Sequence, residues 1–134
     1  MNNPQSVLLI EDEGAVSLIL GKEFESKGYK VLKASNGKEG LDTALKEHPD
    51  VILADLKMPV MGGLEMVKEL RKDDWGKRAK VIILTNVSDL DMVQEAVEME
   101  TLHYLVKGDL GMEEIIERVE KLLNTNASED TAKE

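Results

Sequence analysis

The chain has 134 residues, 27 acidic against 17 basic, for a formal net charge of −10. That length supports one domain of ordinary size and is too short for two. A chain this acidic lacks the clustered cations that nucleic acids and anionic membrane surfaces require. It has no cysteine, which excludes disulfides, thiolate metal sites and cysteine nucleophiles and fits a reducing compartment. No apolar run approaches the ~18 residues of a membrane span, and Met1–Ser6 has no signal-peptide character. The expected location is cytoplasmic.

In chain order, short apolar runs alternate with amphipathic segments. Val7–Ile10 (VLLI) opens the series, and Ala15–Lys27 follows as a helix with Val16, Leu20 and Phe24 on one face. Val31–Ala34 is flanked by lysines and suits a sheet edge. Lys38–Glu47 carries Leu41, Ala44 and Leu45 at helical spacing. Val51–Ala54 (VILA) is the third run, and Leu64–Lys72 the third helix. Val81–Leu84 (VIIL) is the fourth run. Ser88–Glu100 follows, with Ser88 as the expected N-cap and Asp89 and Asp91 favourable in a first turn. Tyr104–Val106 is the fifth run, and Met112–Asn124 shows the cleanest 3.6-residue stripe. Glycines at 28, 37, 62, 63, 76 and 108 punctuate the pattern. Five βα units predict an open parallel sheet with helices on both faces, since five are too few for an eight-stranded barrel. The continuously apolar first, third and fourth runs belong to strands covered on both sides. The expected domain spans residues 1–124, with 125–134 a polar flexible tail.

Charge is segregated. Residues 1–85 carry 13 basic and 14 acidic side chains, whereas 86–134 carry 4 and 13. The last third is either a solvated helical surface or an acidic face for a basic partner.

In an open α/β sheet, sites form beyond the carboxyl ends of the strands. The residues there are Glu11-Asp12-Glu13 after the first run, Asp55 after the third, Thr85 after the fourth and Lys107 after the fifth. If the first and third strands are neighbours, Glu11, Asp12 and Asp55 crowd together, and a divalent cation relieves their repulsion. All-oxygen ligands favour Mg²⁺ over zinc. A cation, the Lys107 ammonium and the Thr85 hydroxyl around one carboxylate suit phosphoryl oxygens, with Asp55 as the attacking group.

The motifs VLLIEDE (7–13), DVILADLKMPVMGG (50–63), VIILT (81–85) and YLVK (104–107) resemble the receiver domain of two-component response regulators over roughly residues 6–123. The resemblance implies a flavodoxin-like parallel sheet in strand order 2-1-3-4-5. It implies Asp55 as phosphoacceptor, Asp12 as a direct Mg²⁺ ligand, Glu11 as a ligand through water, and the Lys57 backbone carbonyl as a further ligand. Thr85 and Tyr104 correspond to the switch hydroxyl and switch aromatic, and Lys107 to the phosphoryl-contacting lysine. Lys57, Asn86 and Val87 occupy positions that tune acyl-phosphate lifetime. Departures include Glu11 for the commoner Asp, Gly62 where an acidic helix cap is usual, and Glu100-Thr101 for a Gly-Ala pair. The largest is Gly108, where the family places a proline after a commonly cis bond. The Lys107–Gly108 bond is therefore either trans in a rebuilt loop or strained.

The expected function is a phosphorylation-controlled signalling switch. A sensor histidine kinase or phosphotransfer protein would supply the phosphoryl group, with Mg²⁺ as cofactor. Output would pass through the fourth helix, fifth strand and fifth helix to a protein with a basic surface, with Glu95, Glu98 and Glu117 on the docking face. The chain is expected not to be a turnover enzyme, although it assists its own phosphotransfer and slow dephosphorylation. The alternative is a phosphorylation-independent interaction module. A flavin carrier is disfavoured, because Glu11-Asp12-Glu13 repels phosphate and aromatics total four.

Overall fold

A computed structural model describes residues 4–100, 102–108 and 111–124, with side chains left out for 98–100. The tail expected at 125–134, Thr101 and the Glu98 and Glu100 side chains lie outside the described residues. The elements alternate throughout: β1 (Ser6–Ile10), α1 (Gly14–Ser26), β2 (Lys30–Ala34), α2 (Gly37–Glu47), β3 (Val51–Asp55), α3 (Gly63–Leu70), β4 (Val81–Thr85), α4 (Leu90–Glu100), β5 (His103–Val106) and α5 (Met112–Leu123). Short 3₁₀ turns at Gly76–Arg78 and Val87–Asp89 precede β4 and α4.

All pairings are parallel, in the order β2-β1-β3-β4-β5. The apolar runs of β3 and β4 are buried at every residue, as central strands covered on both faces must be. The lysine-flanked β2 stands at the edge. Alternation along each strand divides the core. Leu8, Ile10, Ile52 and Ile83 face Met66, Val67 and Leu70 of α3. Val7, Leu9, Leu53 and Ile82 face Leu20 and Phe24 of α1 and Ile116 and Val119 of α5.

The β3–α3 connection is tightly built. Met61 N–H donates to the Pro59 carbonyl at 2.7 Å, closing a three-residue turn around Val60. Val60 sits at φ 70, strained for a β-branched residue, and its side chain is solvent-exposed. A Cβ on Gly62 would lie 2.8 Å from the Leu56 carbonyl oxygen. The glycine there thus permits close backbone approach, and of a capping box only the long Gly62 N–H to Glu65 contact at 3.4 Å remains.

Ser88 does not cap α4. The chain leaves β4 through the 3₁₀ turn, so Ser88 lies inside that turn and the Asp89 N–H donates to the Asn86 carbonyl at 3.0 Å. At the opposite end of the sheet, α2 stops at His48, whose φ of 51 is left-handed. Its imidazole stacks on Trp75 with centroids 4.2 Å apart and planes 7° from parallel. No described helix is long and apolar enough to cross a membrane.

Candidate functional site

Each site residue sits where a strand ends, because parallel strands in register deliver their carboxyl ends to one edge. β1 and β3 are neighbours, with Ile10 opposite Ala54, so the side chains that follow them converge. One carboxylate oxygen each from Glu11, Asp12 and Asp55 lie within 4.8 Å of one another. Glu11 and Asp55 are buried, while Asp12 is exposed. These groups line a cleft of about 210 Å³ together with Lys57, Thr85 and Lys107.

Glu11 is the most perturbed group. Its Oε1 accepts from the Glu13 N–H at 3.1 Å, but its Oε2 is buried with no hydrogen-bond partner. Burial, then the Asp55 carboxylate beside it, push its carboxyl up to about 8. An orphaned buried carboxylate oxygen facing two further carboxylates is a donor set matched to a hard divalent cation. Glu11, Asp12 and Asp55 fit Mg²⁺ on that ground.

Lys107 supplies the local positive charge. Its Nζ lies 2.8 Å from Asp55 Oδ1. Burial lowers the ammonium, but hydrogen bonding to and attraction by Asp55, with Glu11 and Glu13, lift it above its usual value. The Lys107–Gly108 bond is trans, and Gly108 adopts φ 88. The loop is therefore rebuilt around a left-handed glycine, and the lysine still reaches the aspartate. The Lys107 N–H also donates to the Thr85 carbonyl at 2.7 Å, extending the β4–β5 ladder.

Thr85 is buried, and its hydroxyl donates to the Asn86 carbonyl at 3.1 Å. Tyr104 in β5 is half-buried, and its hydroxyl accepts from Gln94 Nε2 of α4 at 3.3 Å. Lys57 and Asn86 stand in the cleft lining. Val87 does not: the 3₁₀ turn carries it into solvent at 71% exposure. Two features escaped the sequence reading. Asp89 lines the cleft, although its sequence context suggested only a first-turn acid. Leu18 and Ile19 of α1 are about half exposed; the signal was two apolar residues off the Val16–Leu20–Phe24 stripe.

With this geometry in hand, the chain belongs to the response regulator receiver domain family, which it matches over residues 7–120. It is 34% identical over 119 residues to sporulation initiation phosphotransferase F of Bacillus subtilis, covering 89% of this chain and 94% of that protein. It spans about half (52%) of the uncharacterized transcriptional regulatory protein YkoG from the same organism, at 31% identity over 91% of this chain. Among solved structures it resembles chemotaxis protein CheY4 of Vibrio cholerae, with TM-score 0.80 and 28% identity over 90% of this chain and 99% of that one. It also resembles the receiver domain of sensor histidine kinase PA1611 from Pseudomonas aeruginosa, with TM-score 0.80 and 25% identity over 92% and 100% of the two chains. That structure holds a magnesium ion in its active-site cleft. Receiver domains act as phosphoryl-accepting switches, bind Mg²⁺ at an acidic site and interact with histidine kinases and phosphotransfer proteins.

Proposed function

We propose that this chain is a phosphorylation-controlled switch that accepts a phosphoryl group on Asp55 from the phosphohistidine of a sensor kinase or phosphotransfer protein. One observation carries the reading. The buried Asp55 carboxylate lies 2.8 Å from the Lys107 ammonium and within 4.8 Å of the carboxylate oxygens of Glu11 and Asp12. An Asp55 oxygen attacks phosphorus, the phosphorus–nitrogen bond of the donor breaks, and the imidazole nitrogen leaves with the electron pair. Lys107 moves from the aspartate oxygen to a phosphoryl oxygen. The Thr85 hydroxyl turns from the Asn86 carbonyl to another.

Glu11, Asp12, Asp55 and the Lys57 main-chain carbonyl would hold Mg²⁺, which when bound supplies countercharge to the phosphoryl oxygens. Movement of Thr85 leaves room for the Tyr104 ring to swing inward and give up its Gln94 hydrogen bond. This shifts the populations of the α4–β5–α5 face. Lys57 and Asn86 side chains at the rim govern how long the acyl phosphate lasts. The chain is a phosphoryl acceptor rather than a turnover enzyme. The exposed apolar Leu18 and Ile19 of α1 dock the donor protein, and the acidic α4 and α5 surfaces, with Glu95 and Glu117, dock a basic target.

Mass spectrometry after acetyl phosphate and Mg²⁺ tests the core of this reading. The parent gains one phosphoryl group, and neither Asp55→Asn nor chelator-treated parent does. A parent that gains no mass is instead a phosphorylation-independent interaction module.

A further inference from the structure

The cleft contains an ion pair whose carboxylate, Asp89, has no role in the phosphoryl reading. Lys57 Nζ lies 3.1 Å from Asp89 Oδ1. Lys57 is on the loop after β3, Asp89 closes the 3₁₀ turn after β4, and both line the cleft. Their side chains are unequally exposed, 70% for Lys57 and 14% for Asp89. A mostly buried carboxylate without a partner is costly, so the turn depends on the pair more than the lysine does.

Among the described residues, the Thr85 hydroxyl on the Asn86 carbonyl is the other side-chain hold on that turn. Asn86, Val87 and Ser88 are exposed. None of them joins either apolar core cluster. The hydrogen bond from the Asp89 N–H to the Asn86 carbonyl closes the turn only on itself. Among the described residues, Lys57–Asp89 is the side-chain tie between this turn and the loop after β3.

We propose that Asp89 is a positioning residue whose ion pair with Lys57 clamps the turn ahead of α4 in the resting protein, and that a phosphoryl group on Asp55 draws Lys57 away and frees the turn. The inference rests on the phosphoryl reading and adds to it the charge exchange that starts the movement of α4. Acyl phosphate formation replaces the single charge of the Asp55 carboxylate by close to two at neutral pH, a net gain of about one, and sets them against the one on Asp89. Lys57 stands two residues from Asp55 on a flexible four-carbon stem. The exchange moves one ammonium between two anions, and the turn is the element it biases.

Hydrogen exchange of amides 86–90 on the full chain tests the clamp, first without metal or phosphodonor and then with Mg²⁺ and beryllofluoride as phosphoryl mimic. In the parent the mimic speeds exchange roughly two- to fivefold, the range set by a partly exposed ion pair. Asp89→Asn and Lys57→Gln exchange that much faster already at rest, and the mimic adds less than it does in the parent. The reversed pair, Lys57→Glu with Asp89→Lys, recovers resting protection, as does the conservative Asp89→Glu. High salt speeds the resting parent but not the single variants, because it screens the pair. Equal resting exchange in parent and Asp89→Asn overturns the clamp, and so does a reversed pair that behaves like the single variants. A parent that takes no phosphoryl group on Asp55 overturns the underlying reading and with it the release step. The resting comparison judges the clamp independently of that result.

Discussion

Glu11 and Tyr29 show how single residues divide between function and stability. Glu11 Oε2 is buried without a hydrogen-bond partner beside a second carboxylate, an arrangement that favours a cation over the metal-free fold. Glu11→Gln therefore raises metal-free stability by about 1 kcal/mol and weakens the rise in Tm on adding Mg²⁺; calorimetry with and without the metal reads both. Tyr29 is the opposite case. Its hydroxyl donates to Glu120 Oε2 of α5 at 2.9 Å, and its ring meets Phe24 edge-on at 5.7 Å. Burial, then the Glu120 hydrogen bond and charge, push the phenol up to about 12. A phenol that binds its proton more tightly when folded contributes stability fully below pH 10, the unfolded value, and loses it as pH rises through about 12. Tyr29→Phe costs about 1 kcal/mol at neutral pH. It also flattens the fall in denaturant midpoint between pH 10 and 12 relative to the parent.

At the scale of elements, the loop after β5 shows most clearly what the sequence could convey. YLVK placed Lys107 at a strand end, and the structure puts its ammonium 2.8 Å from Asp55. The loop's backbone was not legible, because a glycine permits either sign of φ and only the packed chain selects 88°. Gly108→Ala forces a side chain into that left-handed conformation at about 1–2 kcal/mol. It lowers the rate of Mg²⁺-dependent labelling from acetyl phosphate, measured by mass. β1, β3 and β4 were readable because two-faced burial leaves uninterrupted apolar runs. The start of α4 was not: Ser88 has the chemistry of a cap, but a 3₁₀ turn intervenes, and the exposed residues 86–88 leave no hydrophobic period to read. Asp89 was likewise hidden. Its place in the cleft depends on β3 and β4 lying side by side, a tertiary fact that local sequence does not encode.

For the whole molecule, the proposed function is spread over separate surfaces of a single sheet covered by helices on both faces. The cleft lies at the carboxyl edge of the sheet, α1 exposes Leu18 and Ile19, and α4 and α5 carry the acidic side chains of the last third. Leu18→Ala with Ile19→Ala therefore slows phosphoryl transfer from a phosphohistidine-bearing donor protein about tenfold, as loss of two half-buried apolar contacts implies. Labelling by acetyl phosphate stays at the parent rate, since a small donor needs no docking surface. Comparing the two donors in one assay checks this. The far pole has its own signature. Trp75 is the chain's single tryptophan, and it stacks on His48 just ahead of β3 and β4, a strand's length (roughly 16 Å) from the carboxylates. Its fluorescence is thus a spectator of signalling chemistry and a reporter of melting. The emission changes when the α2 and α3 ends come apart and stays silent as the opposite rim gains or sheds its charge.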